Sequence, residues 1–151
     1  MVQRRPLVFS NLFDVMADVN HLRRGCTPGG NWTLAQTCWH LETVMNRQMR
    51  PGPYPPNSPI QNQNRPALED ILATGVIPSG IPAPPEAVPP ANVPNSAIDQ
   101  FLVALRAFES RTEPYAPHRL FGNLKREEMQ KLALIHCAHH LSHLLPTTAR
   151  I

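Results

Sequence analysis

The chain has 151 residues, 42% apolar and 17% charged, the size of one domain with one sizeable core and too short for two. Its formal charge of +3 comes from 14 basic and 11 acidic residues scattered along the chain, which excludes a nucleic-acid-binding stripe as the expected partner surface. No apolar run reaches the ~18 residues of a membrane span, and Asn11, Asp14 and Asp18 interrupt the stretch that a signal sequence would need.

Leu12, Val15, Met16, Val19 and Leu22 recur at spacings of three and four, the amphipathic helical period, and Gly25 ends that first helix. A second helix is expected from Asn31 as N-cap through Thr33 to about Arg50, with Leu34, Cys38, Leu41 and Met45 as its apolar stripe. Pro51 and Gly52 stop it. Thirteen of the 18 prolines lie from Pro51 to Pro94, so they punctuate one long connection and do not signal general disorder. Within it, Pro66 to Ala73 reads as a short helix closed by Gly75. The remainder of the connection, including Ser79 to Pro85, reads as an extended, ordered loop, and its unusual length predicts that it drapes over the functional site. A third helix is expected from Ser96 as N-cap through Arg111, with Ile98, Phe101, Leu102, Leu105 and Phe108 in register. A fourth is expected from about Lys125 to Leu144, with Glu127 and Glu128 at its positive end. No strand-like alternation is visible. The predicted fold class is all-α: a four-helix bundle over a single domain, residues 1–151, with a long proline-rich connection between helices two and three.

The fourth helix carries the chemistry. His136, His139, His140 and His143 fall within eight residues, and His136, His140 and His143 continue the stripe of Met129, Leu132 and Ala133. The i,i+4 pair His136 and His140 brings two imidazoles to the separation needed to share one metal. His139 turns toward the flank and is not counted as a ligand; His143 is a reserve. A lone histidine on an apolar face is more often an ordinary core residue. Several together without a shared partner would leave buried ring nitrogens unsatisfied, which makes a common metal the economical reading. The third ligand is expected from His40, which lies inside the second helix, whereas His21 and His118 look peripheral. Three imidazoles leave a coordination position open to water or substrate, as in a catalytic site, and suit zinc or nickel, with iron or copper as alternatives. Cys137 occupies the place of the glutamate in H-E-x-x-H peptidases, so that mechanism is not expected. Cys38 and Cys137 read as small core residues. With Cys26 they cannot all pair and lack C-x-x-C spacing, so free thiols and a cytoplasmic location are expected. The basic residues nearest to a cluster, Arg4, Arg5, Arg23 and Arg24, read as solvated surface.

Two segments also match a known pattern. Trp32-Thr33-Leu34-Ala35-Gln36-Thr37-Cys38-Trp39-His40-Leu41 and His136-Cys137-Ala138-His139-His140 together resemble the second-helix segment and the H-x-x-H-H element of the DinB-like (DinB/YfiT) superfamily of four-helix-bundle metalloproteins. Gly80-Ile81-Pro82-Ala83-Pro84 and the stretch from Leu120 to Glu128 are similar to an uncharacterised domain-of-unknown-function branch of it, in which Thr or Ser more often stands where this chain has Lys125. The resemblance implies His40, His136 and His140 as metal ligands, and relatives that include thiol-dependent transferases and a maleylpyruvate isomerase. It further implies a small-molecule substrate, a low-molecular-weight thiol as partner, and a homodimer as a common assembly. Two readings follow: a metal-dependent transferase or hydrolase that activates a thiol or water, or a binding module with a structural or vestigial site.

Overall fold

In the computed structural model, which describes residues 4–52, 65–78 and 81–147, the chain is mostly helical with one small sheet. Helix α1, Leu12–Arg23, starts where the Asn11 side chain accepts the Asp14 N–H at 3.0 Å, and buries Val15, Val19 and Leu22. Gly25, at φ +149°, turns the chain out of it through an angle that side-chain-bearing residues avoid. Helix α2, Leu34–Gln48, is capped by Thr33 and not by Asn31. Gln36 stands three residues after Thr33, so the two exchange bonds: the Thr33 hydroxyl accepts from the Gln36 N–H at 3.1 Å, and the Gln36 side chain accepts from the Thr33 N–H at 2.9 Å. Asn31 has Leu34 at the equivalent offset and cannot form the box.

Helix α3, Arg65–Thr74, is the short helix of the proline-rich connection. Helix α4, Ser96–Ser110, takes Ser96 as its first helical residue, with Asn95 at the cap. The carbonyls of Pro94 and Asn95 accept from Ala97 and Ile98, each at 3.0 Å, so a backbone turn stands in for a side-chain cap. Helix α5, Arg126–Leu141, begins with Glu128 accepting the Lys125 N–H at 3.0 Å, half of a capping box despite the lysine.

The expectation of an all-α chain with a last helix reaching Leu144 is corrected. α5 stops at Leu141, and Leu144–Pro146 becomes a strand, β2, antiparallel to β1, Cys26–Pro28, with Thr27 opposite Leu145. Three-residue strands are too short to show alternation in sequence, and their bonds form between segments over a hundred positions apart. His143 consequently lies in the turn after the helix and leaves the helical stripe.

The main core gathers Val15, Val19 and Leu22 of α1, Cys38, Leu41 and Met45 of α2, Phe101, Leu105 and Phe108 of α4, and Met129, Cys137 and Leu141 of α5. A second cluster joins Leu68 and Ile71 of α3 to Phe121, Leu132 and Ile135. Each such side chain contributes about 1.5–3 kcal/mol. Because α5 serves both clusters it is buried around most of its circumference, and the strip between them carries the histidines.

One buried ion pair ties these parts together. Asp18, 1% exposed, receives both guanidinium nitrogens of Arg5 at 2.8 and 2.9 Å. Arg5 also donates to the carbonyls of Leu141 and Leu144 and, through its own N–H, to Ser142, fastening the end of α5. Arg5 is thus not part of a solvated surface group, and Arg23 pairs with Asp99 at 2.7 Å. Among the described residues no helix is long and apolar enough to cross a membrane.

Candidate metal centre

His40 enters from α2, 3% exposed, with Nδ1 2.7 Å from the carbonyl of Ala87. A carbonyl only accepts, so Nδ1 carries the ring proton and Nε2 keeps its lone pair. Ala87 ends a 3₁₀ turn, Pro85–Ala87, whose fixed proline geometry places that carbonyl; the connection therefore sets the tautomer.

One turn of α5 separates His136 from His140, and their Nε2 atoms stand 3.1 Å apart. Nε2 of His136 is 3.4 Å from Nε2 of His40, and one ring nitrogen from each of the three residues lies within 4.8 Å of the others. Bonds of 2.0–2.1 Å to a tetrahedral ion put ligand nitrogens ~3.3 Å apart, and the two separations from His136, 3.1 and 3.4 Å, lie close to that value. Hydrogen bonding alone serves the cluster poorly, because the single Nε2 proton of His136 cannot satisfy both neighbours at once. The donor set fits one divalent transition metal.

Trp32, just before the Thr33 cap, stacks on His140 with centroids 5.4 Å apart at 21° and leans on His40 at 4.9 Å. Both rings are held from one side by the same indole. Burial lowers the pKa of all three histidines. Neighbouring imidazoles lower His136 and His140 further, while the Ala87 carbonyl only partly offsets burial at His40. All three are neutral near pH 7, the form that ligates metal.

These residues face a cleft of about 320 Å³, walled by Val44, Ile71, Phe121 and Leu132 and by Ile77, Pro78, Ile81, Pro82 and Pro84 of the connection. The expectation that this connection drapes over the site is met by residues 77–78 and 81–84; Ser79, Gly80 and residues 53–64 lie outside the described residues. His139 also lines the cleft, 4.9 Å from the His140 ring, but lies outside the three-nitrogen group, and its Nδ1 is buried with no hydrogen-bond partner among the described residues. The reserve, His143, is outside the group as well; its ring faces His139 at 5.7 Å.

His118 was expected to be peripheral, and it is not. It stacks on Phe121 at 4.9 Å in the cleft wall, its Nδ1 accepts the Leu120 N–H at 3.0 Å, and burial with the charges of Arg119 and Arg47 pushes its pKa down to about 4. The sequence signal is Gly122: at φ +75° it closes a tight turn in which His118 and Gly122 exchange backbone bonds of 2.7 and 2.9 Å. Among the described residues no carboxylate, hydroxyl or thiol side chain lines the cleft. Cys38 and Cys137 sit in the main core, fully covered, and burial pushes the Cys38 thiol up to about 12 and that of Cys137 higher still, so neither is a nucleophile.

No curated protein and no solved structure matches the chain. A family model described as a protein of unknown function, DUF1569, matches residues 1–147, nearly the whole chain. The chain belongs to that family.

Proposed function

We propose that the chain is a single-domain, DinB-like four-helix-bundle metalloenzyme in which His40, His136 and His140 hold a divalent transition metal, zinc or nickel first. The bundle would comprise α1, α2, α4 and α5, which pack on one another, with α3 and the sheet as additions. The observation that carries the proposal is the 3.1 and 3.4 Å spacing of three neutral Nε2 donors beside a cleft. Such a metal, when bound, is a Lewis acid that lowers the pKa of a thiol or water toward neutrality.

The chain's own residues do the rest. The Ala87 carbonyl keeps the His40 lone pair on Nε2, Trp32 fixes two rings, and the apolar wall limits water around the reacting groups. Among the described residues no side-chain nucleophile lines the cleft, and an attacking group from solution favours a low-molecular-weight thiol or water and a transferase or hydrolase reaction. A cytoplasmic setting belongs to the same proposal, since Cys26, Cys38 and Cys137 are all free.

Metal analysis of protein purified without added metal, followed by titration after chelation, tests it. The expected result is about one equivalent in the wild type and under about a tenth in His136→Ala. Less than a tenth of an equivalent in the wild type, with no uptake on titration, refutes it. A second reading, a binding module with a structural site, draws on the way His40 links α2, the connection and α5. It predicts metal uptake that raises the melting temperature while no thiol or small ligand changes the metal's spectrum in a cobalt-substituted sample.

A further inference from the structure

We infer that the cleft takes a small molecule carrying one carboxylate on an apolar body, anchored by Arg119 and by the Nε2–H of His118. This rests on the metal-site proposal only in taking the same cleft as the substrate site.

The first anchor follows from hydrogen-bond bookkeeping at one ring. Nδ1 of His118 accepts the Leu120 N–H at 3.0 Å, so in the neutral ring the proton sits on Nε2. No hydrogen-bond partner takes that Nε2–H among the described residues, and the residue lines the cleft. With its pKa near 4, the ring remains a neutral donor at physiological pH and is not a base.

The second anchor follows from the local charge count. Arg47 and Glu86 form an ion pair, whereas Arg119, exposed in the cleft wall, makes no ion pair or hydrogen bond of its own among the described residues. A bond from its own backbone N–H, and after it both guanidiniums, hold the Glu86 carboxyl below its ordinary range, and the same two cations add to the effect of burial in depressing His118. Two cations and one carboxylate leave one net positive charge here, and no acidic side chain lines the cleft among the described residues. A single uncompensated cation with an adjacent neutral donor matches a monoanion, and a carboxylate accepts from both. Beside these two anchors much of the wall is apolar, with Val44, Ile71, Phe121 and Leu132, so the body of the molecule is apolar. His118 and Arg119 line the same cleft as His40, His136 and His140, so a molecule anchored there by its carboxylate shares that cleft with the three imidazoles.

Calorimetric titration of hexanoate, benzoate and 4-phenylbutyrate against their primary amides, on chelator-stripped and on metal-loaded protein, tests this. In the stripped wild type at least one acid is expected to bind roughly tenfold tighter than its amide, the size of one charge-assisted bond. Arg119→Ala should abolish that preference and Arg119→Lys should retain part of it. His118→Asn, which can still accept the Leu120 N–H but lacks the outer donor, should weaken the acid several-fold and the amide less. Equal binding of acid and amide, a preference that survives Arg119→Ala, or no binding of any acid up to about 10 mM overturns the inference. A preference seen only after metal loading also overturns it, since the metal would then hold the carboxylate, while leaving the metal-site proposal intact. Arg119-dependent binding in a protein that takes up no metal has the opposite meaning: the inference stands and the metal-site proposal falls.

Discussion

Acidifying the metal-free protein should destabilise it from just below pH 6.5, and the size of the effect follows from the three facing imidazoles. In the folded state burial, with neighbouring rings, holds His40, His136 and His140 below the ordinary histidine value. In the unfolded chain they titrate near 6.5. Below that pH the unfolded state binds protons that the folded state does not, so stability is complete above the unfolded value and falls as pH falls toward the folded ones. Across the first unit below pH 6.5 His136 and His140, held far below that value, each cost about 1 kcal/mol, so the pair costs about 2 kcal/mol with His40 adding in the same direction, a large part of a typical domain's 5–15 kcal/mol. His118 and His139, each pushed down to about 4, act in the same direction. Urea unfolding of chelator-treated protein at pH 7.5, 6.5 and 5.5 measures the loss. Metal titration at pH 6.5 in two buffers of different ionisation enthalpy supplies an independent readout: depressed imidazoles release well under about one proton in total, whereas three ordinary ones would release about 1.5. A flat stability between pH 7.5 and 5.5, or release near that larger figure, would refute the claim that the cluster is held neutral by its surroundings.

Replacing Trp32 with Ala should lower metal affinity about 10- to 100-fold, because His40 and His140 lose the indole that orients them; competition against a chromogenic chelator measures this. Asp18→Ala should destabilise the fold by about 3–5 kcal/mol in urea, since Arg5 is left partly buried without its carboxylate, whereas Asp99→Ala at the exposed Arg23 pair should cost under about 1 kcal/mol. Thr33→Ala removes one half of the α2 capping box and should cost about 1 kcal/mol by the same assay. In the folded protein Cys38 and Cys137 should resist a thiol-specific chromogenic reagent that modifies both in urea; fast reaction of either without denaturant would contradict their burial.

Much of the helical content was legible because a helix writes its buried face at spacings of three and four within a few turns. The stripes of Leu12 to Leu22, Leu34 to Met45 and Ile98 to Phe108 are where the structure has helices, and His136 with His140 is a pair whose geometry one helix determines locally. Cap positions were misplaced by one or two residues where a competing local bond was stronger, as when Gln36 selects Thr33 over Asn31.

Residues far apart in the chain behaved differently. His40 could be singled out as the remaining histidine in a patterned helix, but its Nε2 facing His136 depends on how α2 and α5 pack across 96 positions, and its tautomer on a carbonyl 47 positions away. Asp18, an apparent interruption of an apolar run, is buried only because Arg5 folds back onto it and onto the end of α5. His118, without a helical pattern around it, became a cleft residue through a turn closed by Gly122. The sequence by itself determined the main helices, the histidine pair and the buried thiols, because periodicity and i,i+4 spacing are properties of a single element. Tertiary structure alone decided the small sheet, the Arg5–Asp18 clamp and the wall of the cleft, because each is a contact between segments whose separation no local spacing records.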